Sequence, residues 1–185
     1  MVNDILNEAD SKMHKTVEVL RKDLATVRAG RANPAILDKV TVDYYGTPTP
    51  INQLANISVP DPRMITIQPW DKSSIKDIEK AILKSDLGLN PSNDGIVIRL
   101  SIPQLTADRR AELVKTVKKK GEDAKIAIRN IRREVIDDIK QVEKEKLVSE
   151  DDAKKAQEKA QKLTDKIIKD IEDILEKKEK EVMEV

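Results

Sequence analysis

The placement of proline is the feature of this sequence that most limits its fold. Seven of the eight prolines lie between Pro34 and Pro91, and the eighth is Pro103. Proline has no amide hydrogen and clashes with a preceding helical turn, so it is confined to helix starts, turns and strand edges. The middle of the chain therefore cannot be one long helix, whereas the stretches on either side of it can.

Both flanking stretches have apolar residues at helical spacing, which predicts three long helices. The first is expected over about 3–29, the second over about 106–146 with Thr106 as its N-cap, and the third after Ser149, where acidic residues follow a capping serine. The predicted buried faces are Leu6, Ala9, Met13, Val17, Leu20, Leu24 and Val27; Val117, Ala124, Ile128, Ile131, Val135 and Val142; and Ala153, Ala156, Ala160, Leu163, Ile167, Ile171 and Ile174. Because a short loop joins the second and third helices, these helices must be antiparallel, and a three-helix bundle buries all three faces.

The proline-rich middle reads as a small α/β domain. Apolar residues alternate at 40–44, 64–67 and 96–102, which predicts short strands. Helical spacing returns over 72–84, and Asn-Asp-Gly at 93–95 predicts a turn. The expected fold class is therefore α+β: a long antiparallel three-helix bundle with a small α/β domain inserted after the first helix.

The order of these segments predicts a discontinuous domain. Residues 1–30 with 105–185 would form the bundle, and residues 31–104 would form the inserted domain. Two short crossings, at 30–33 and 103–106, would join the domains and act as a hinge between two rigid bodies. The predicted hinge residues are Gly30, Ala32, Asn33, Pro103, Gln104 and Leu105.

Charge is strongly separated along the chain although the net charge is only +1. From Lys115 to Arg133 there are eight Lys or Arg residues against Glu122 and Asp123, a net charge of +6, whereas Glu134–Val185 has a net charge of −5. Helical spacing gathers five of these cations on one side of the second long helix, here called the cation face: Lys118, Lys125, Arg129, Arg132 and Arg133. Such a face is either simply solvated or binds phosphate, and few acids stand at the helical spacing that would neutralise it.

Composition excludes several classes of function. The chain has no Cys and His14 is its only histidine, so disulfides, thiolate or histidine metal clusters and Ser-His triads are excluded. No glycine-rich phosphate-binding loop is present. No secretory signal or membrane span is found, which leads us to expect a cytosolic protein. From the excluded classes of site we also expect no cofactor, no metal and no small-molecule substrate.

Five motifs occur in a fixed order along the chain. They are Arg28-Ala29-Gly30-Arg31-Ala32-Asn33-Pro34; Pro69-Trp70-Asp71; Ser85-Asp86-Leu87-Gly88-Leu89-Asn90-Pro91 with Asn93-Asp94-Gly95; Leu105-Thr106 through Arg109-Arg110; and Lys125-Ile126-Ala127-Ile128-Arg129-Asn130-Ile131-Arg132-Arg133. In these motifs, and over essentially all 185 residues, the sequence resembles the bacterial ribosome recycling factor family.

The resemblance implies an L-shaped, monomeric and non-enzymatic translation factor. It would bind the post-termination ribosome and, with elongation factor G and GTP, separate the subunits. By motif position, Arg129 and Arg132 would contact large-subunit ribosomal RNA, with Arg133, Lys125 and Lys118 beside them.

Several residues keep two interpretations. Arg109 and Arg110 oppose the dipole at a helix start, so they would either bind RNA or form salt bridges to the first helix. Arg28 and Arg31 flank Gly30 and would either contact RNA or stabilise the hinge. Trp70 is expected to pack in the core of the small domain, with a contact to a partner as the alternative.

Two other functions compete with this interpretation. A helical adaptor could pair its basic and acidic helices with other coiled coils, but it would have no reason to carry an inserted α/β domain. An enzyme could place a site between the domains, but the shortage of His, Cys and aromatic residues argues against one.

Overall fold

The computed structural model describes residues 1–27 and 30–184 of the chain. Its helices are α1 (Val2–Ala25), α2 (Ile75–Lys84), α3 (Ala107–Lys144) and α4 (Glu150–Met183). Its strands are β1 (Thr41–Tyr44), β2 (Thr47–Pro50), β3 (Ala55–Asp61), β4 (Met64–Pro69), β5 (Pro91–Asn93) and β6 (Ile98–Ser101). Short 3-10 helices lie at Pro34–Leu37, Ile51–Gln53 and Lys72–Ser74.

The chain forms two compact units. One consists of Met1–Leu24 and Lys115–Glu179, and the other of Ala25–Val114 and Lys180–Val185. The first unit contains only helix and the second contains all six strands. The predicted fold class, long antiparallel helices with a small sheet domain placed after the first of them, is confirmed.

The long helices bury the faces that their sequence periodicity predicts. The buried residues include Ala9, Met13, Val17, Leu20 and Leu24 of α1; Val117, Ala124, Ile128, Val135 and Ile139 of α3; and Ala153, Ala156, Ala160, Ile167, Ile171 and Leu175 of α4. Five predicted members are only half-buried, namely Leu6, Ile131, Val142, Leu163 and Ile174. The alanines of α4 form one cluster with Ala9, Val135 and Ile139, so small side chains bring three helices close together.

Side-chain caps start α3 and α4 at the predicted positions. The Arg109 amide donates a hydrogen bond of 3.1 Å to Thr106 Oγ1, and the Asp152 amide donates one of 3.0 Å to Ser149 Oγ. Each hydroxyl thereby satisfies one amide that has no partner within the helix. Both predicted N-caps are confirmed.

α1 ends earlier than predicted. Its last helical residue is Ala25, and Thr26 and Val27 are already non-helical. Both are β-branched, which lowers helix propensity, although Val27 stays buried and therefore continues the apolar spacing. The predicted end, Ala29, lies outside the described residues.

The strands form two antiparallel sheets. β1 and β2 make a hairpin, and the other four strands are ordered β3-β4-β6-β5. α2 lies against β1 and β5, and its buried residues share one core with those of β4 and β6. Strands were predicted at the positions of β1, β4 and β6, but β2, β3 and β5 were missed because they contain prolines. All three are edge strands. A proline is tolerated on an edge strand because its missing amide hydrogen can fall on the side that has no neighbouring strand.

The predicted turn at 93–95 is confirmed and is organised by Asp94. Its carboxylate accepts hydrogen bonds from the amides of Val97 at 2.9 Å and Ile96 at 3.0 Å, and from Arg99 Nη1 at 3.0 Å. These donors, the two amides most strongly, lower the pKa of Asp94 to about 2. Gly95 follows with φ of +88°, a conformation that glycine adopts without strain.

The expectation that Trp70 packs in a core is wrong. Its side chain is 69% exposed. The inward residues of β4 are Ile65, Ile67 and Pro69, and the two-residue period of a strand turns the next residue outward.

No helix in the described part of the chain is long and apolar enough to cross a membrane. Within residues 1–27 and 30–184, no group of three or more His, Cys, Asp or Glu side chains is arranged to hold a metal ion.

Candidate nucleic-acid interface

The five residues of the cation face all lie on α3, but their exposure differs. Lys118, Arg129 and Arg133 are exposed, whereas Lys125 and Arg132 are half-buried. The buried face of α3 lies roughly 90° away around the helix, so core packing and positive charge occupy neighbouring sides. The difference in exposure arises because one edge of the cation face borders α4.

Lys125 lies at that edge. Its side chain is only 14% exposed, and its Nζ atom is 3.5 Å from Oε1 of Glu122 and 3.5 Å from Oε1 of Glu172 on α4. Few pairing acids were expected for this face. Of the two that pair with Lys125, Glu122 lies one turn away on α3, whereas Glu172 lies on α4 and is not seen by helical spacing within α3. Lys125 is therefore partly neutralised by the bundle itself.

Arg132 is oriented by the amide side chain of Gln161 rather than by a carboxylate. Its Nη1 donates a hydrogen bond of 2.9 Å to Gln161 Oε1, and Gln161 Nε2 donates one of 2.9 Å to Asp165 Oδ1. A neutral acceptor leaves the guanidinium charge intact. The remaining donors of the planar fork can still bridge two phosphate oxygens or stack on a base.

The side chains of Arg129, Arg133 and Lys118 have no hydrogen bond or ion pair with any other described residue. Exposed cations without internal partners release condensed counterions when they meet a polyanion. These three side chains therefore supply the part of the cation face that is available to a phosphate backbone.

The arginines near the ends of the small domain behave differently from one another. Arg109 Nη1 pairs with Glu112 Oε2 at 2.8 Å within α3. Arg110 is half-buried, and its Nε atom is buried without a hydrogen-bond partner among the described residues. Arg31 is exposed, and Arg28 lies outside the described residues. The structure leaves both interpretations of these arginines open.

Both predicted crossings are attached to the same turn of the sheet. The Ala32 amide donates a hydrogen bond of 2.7 Å to the Pro62 carbonyl, and the Ile102 amide donates one of 2.7 Å to the carbonyl of Arg63. Asn33 Oδ1 accepts from the Ala35 amide and caps the 3-10 helix that follows. Among the other predicted hinge residues, Gly30 is half-buried, Pro103 and Gln104 are exposed, and Leu105 is buried.

Three residues that frame the cation face were not predicted: Gly121, Gln161 and Glu172. Gln161 and Glu172 contact the cation face from α4. At Gly121 an added Cβ would lie 2.2 Å from Leu175 Cδ1, so glycine permits the close approach of α3 and α4 one turn before Lys125. A lone glycine inside a predicted helix was the available signal, since such a residue usually has a packing or functional reason.

Comparison with known proteins places this geometry in a family. A family model described as "Ribosome recycling factor" matches residues 20–183. The chain is 66% identical over all 185 residues to the ribosome-recycling factor of Desulfitobacterium hafniense (strain Y51), and 63% identical over 185 residues to that of Syntrophomonas wolfei, in both cases covering 100% of each chain.

Solved structures agree with the sequence relatives. A solution structure of the ribosome recycling factor superposes with a TM-score of 0.80 at 44% identity, covering 100% of this chain and 98% of the other. A second neighbour has a TM-score of 0.69 at 46% identity, with 100% of both chains covered. It is the Thermus thermophilus factor in models of that factor and Escherichia coli elongation factor G bound to the E. coli post-termination complex. Matched over its full length by family relatives and by solved structures, the chain belongs to the ribosome recycling factor family.

Proposed function

We propose that this protein binds the post-termination ribosome and, together with elongation factor G and GTP, promotes its separation into subunits. The observation that carries the proposal is the full-length match to the family, which includes a relative described in complex with elongation factor G and the post-termination ribosome. The protein would act through its shape and its contacts, without a reaction, cofactor or metal of its own. GTP hydrolysis would belong to the partner factor.

The cation face is the proposed anchor on large-subunit ribosomal RNA. Lys118, Arg129 and Arg133 would contact phosphates directly, because they are exposed and unpaired among the described residues. Arg132 would present a fork already oriented by Gln161. Lys125 would contribute least, because it is only 14% exposed and Glu122 and Glu172 partly neutralise its charge. The burial and the ion pairs of each side chain support this ranking of the five cations, and helical spacing alone does not give such a ranking.

The two crossings are the proposed hinge, with the small domain moving as a rigid body against the bundle. We place the pivot before Ala32 and after Ile102, since both residues are hydrogen-bonded to the turn at Pro62 and Arg63 and would move with the sheet. Asn33 would also move with the sheet through its cap of the 3-10 helix. Gly30 and residues 103–106 would then be the positions at which the backbone bends in the proposed hinge.

The proposed domain boundaries, 1–30 with 105–185 and 31–104, follow from the same reasoning. We propose a monomer that works in the cytoplasm, where post-termination ribosomes are found. The supporting observation is the family membership itself.

The proposed activity is tested by mixing the purified protein with post-termination ribosomes, elongation factor G and GTP, and following subunit separation by light scattering. Separation that needs all three additions supports the proposal. Intact ribosomes after all three additions would contradict it. Capture of a helical protein without any dependence on ribosomes would favour the adaptor interpretation instead.

The anchor is tested by measuring ribosome affinity over a range of salt concentrations. Arg129→Ala and Arg133→Ala should each weaken binding severalfold and reduce the salt slope by about 0.7–0.9 for each phosphate that is no longer neutralised. Lys125→Ala should have a smaller effect. Lys159→Ala, which removes an exposed cation from α4 on the side of that helix away from Gln161 and Glu172, is the matched control. Equal affinity for all four variants and the parent would exclude the cation face as the anchor.

The hinge is tested by inserting two glycines after Gly30 and two after Pro103. Ribosome binding should persist, because the cation face is unchanged, while subunit separation should slow. The same insertion at Leu147, in the exposed loop between α3 and α4, is the control. Normal separation by the doubly lengthened variant would remove the hinge from the mechanism.

A further inference from the structure

An acidic side chain of α4 lies directly behind one arginine of the cation face. Asp165 is exposed, and its Oδ1 atom accepts a hydrogen bond of 2.9 Å from Gln161 Nε2. Gln161 Oε1 in turn accepts one of 2.9 Å from Arg132 Nη1 on α3. Arg132 forms no ion pair with an acid in the described part of the chain. The carboxylate of Asp165 is therefore connected to the arginine through the glutamine alone.

The two hydrogen bonds fix which way the Gln161 amide points. One end of an amide side chain accepts hydrogen bonds and the other end donates them. With its oxygen toward Arg132 and its nitrogen toward Asp165, each end of the amide meets the partner that it needs. Rotating the amide by 180° would bring two donors together at the arginine and two acceptors together at the aspartate. Asp165 and Arg132 therefore exclude the rotated amide together.

Helical spacing keeps Asp165 and Gln161 next to each other. The two residues are four apart on α4, and Gln and Asp side chains at this spacing hydrogen-bond and stabilise a helix. Gln161 is exposed, so packing restricts its rotamers little, and the bond to Asp165 is what restrains it. Without this bond the long glutamine side chain would sample more rotamers, and it would hold Arg132 for a smaller fraction of the time.

The glutamine also keeps the negative charge of Asp165 away from the guanidinium group. Glu172 shows the alternative, because its carboxylate lies 3.5 Å from the Nζ atom of Lys125 and partly neutralises that cation. At Arg132 an uncharged amide stands between the two charges. This arrangement restrains the rotamers of the arginine while leaving its charge available to a phosphate.

We propose that Asp165 is a positioning residue for the RNA contact of Arg132. It fixes the amide of Gln161, and the amide holds the arginine in the orientation in which the arginine meets RNA. The inference rests on the proposed function, because the RNA contact of the cation face belongs to that function. It gives a supporting role in RNA binding to a residue whose own charge opposes RNA binding.

The sign of one substitution tests the proposal. Asp165→Ala removes a negative charge beside the cation face, so charge alone would make binding to post-termination ribosomes tighter. The positioning role predicts the opposite. We expect the affinity of the full-length variant to fall about two- to tenfold, because an unrestrained Arg132 must be ordered when it binds.

A conservative variant separates the hydrogen bond from the charge. Asp165→Asn removes the same charge as Asp165→Ala but keeps an oxygen that can accept from Gln161 Nε2. It should therefore bind ribosomes more tightly than Asp165→Ala. Asp165 is exposed, so both variants should keep the far-UV circular dichroism spectrum of the parent.

The chain contains a matched control for the pair on α4. Gln141 Nε2 donates a hydrogen bond of 2.8 Å to Glu145 Oε1, again across four residues. Among the described residues, no arginine is bonded to the Gln141 amide. Glu145→Ala removes an acid and releases a glutamine in the same way as Asp165→Ala, and it should not weaken ribosome binding.

A double-mutant cycle shows whether Asp165 acts through Arg132. In an Arg132→Ala protein there is no guanidinium to orient, so Asp165→Ala should not weaken binding any further. Equal weakening by Asp165→Ala in both backgrounds would overturn the proposal. Parental or tighter binding by Asp165→Ala, or equal weakening by Glu145→Ala, would also overturn it, and all three results would leave the proposed function intact. If the parent chain itself does not bind post-termination ribosomes, the proposed function fails and this inference fails with it.

Discussion

Replacing Gly121 with alanine tests whether α3 and α4 approach each other as closely as described. A Cβ atom at this position would lie 2.2 Å from Leu175 Cδ1, 2.6 Å from Cδ2 and 2.9 Å from Cγ. Carbon atoms in contact normally lie about 3.5–4.0 Å apart. Because Cγ is among the crowded atoms, rotating the two methyl groups cannot relieve the overlap. Either Leu175 changes its χ1 angle or the two helices move apart.

The expected magnitude is a balance of two effects. In an exposed helix, alanine in place of glycine stabilises by about 1 kcal/mol. Overfilling a packed site costs about 1–3 kcal/mol, and Leu175 has little free space because it is buried. We therefore expect Gly121→Ala to lower the free energy of unfolding by up to ~2 kcal/mol, which corresponds to a Tm decrease of ~2–4 °C for each kcal/mol.

Urea unfolding followed by far-UV circular dichroism measures this change, and a second background isolates its cause. In a Leu175→Ala protein all three crowded atoms are absent, so the same Gly121→Ala substitution should be neutral or stabilise by about 1 kcal/mol. The difference between the two backgrounds, a coupling of about 1–3 kcal/mol, is the signature of direct contact. Equal effects of Gly121→Ala in both backgrounds would refute the close approach.

Three further predictions concern helix ends and turns. Lys146, just after the end of α3, has φ of +58°, a conformation that glycine adopts more easily than lysine. Lys146→Gly should therefore raise the free energy of unfolding, measured by chemical denaturation, by about 1 kcal/mol. Lys140→Gly, inside the helix, should lower it by a similar amount. Ser149→Ala should lower stability by about 1 kcal/mol in the same measurement, because an amide of α4 loses its cap. Since the folded protein holds the pKa of Asp94 at about 2, below the ordinary aspartate value of 3.8, this carboxylate stabilises the fold above pH 3.8 and stops doing so as the pH falls through 2. Asp94→Asn should therefore be less stable than the parent at neutral pH, and melting curves of the two proteins should converge near pH 2.

The helical part of the fold was predictable because helix formation is reported by local spacing. The buried faces of α1, α3 and α4 follow from residues three and four apart, and the caps at Thr106 and Ser149 follow from hydroxyls placed directly before those faces. The end of α1 was not predictable in this way. Val27 continues the apolar spacing while its backbone has already left the helix, so burial and helicity separate at that point.

The sheet was harder to predict because pairing partners decide it. β2 has the sequence Thr-Pro-Thr-Pro, which contradicts strand propensity, and it forms because β1 supplies a partner along one edge. Trp70 was misplaced for a different reason. Aromatic composition favours burial in general, but the register of Ile65, Ile67 and Pro69 already determined that the next side chain points outward.

The cation face was predicted as a set of residues, but not as a set of distinct environments. Its division depends on α4, which lies antiparallel to α3 across a short loop. The pairing of Arg132 with Gln161 could have been predicted from the sequence. Arg132 lies 15 residues before Leu147 in the loop, and Gln161 lies 14 residues after it. Counting outward from the loop would have placed α4 residues opposite the cation face, although not the distances between their atoms.

The contacts from α4 matter more for the shape of the cation face than for the stability of the bundle. Glu172 is 57% exposed, and pairs in such positions contribute little free energy because solvent screens them. Their effect is instead to restrict side-chain rotamers. An arginine already held by Gln161 loses less conformational freedom when a phosphate arrives than a freely rotating one does. In the proposed RNA contact, the exposed cations Arg129 and Arg133 would supply most of the attraction, and Arg132 would supply most of the geometric selectivity.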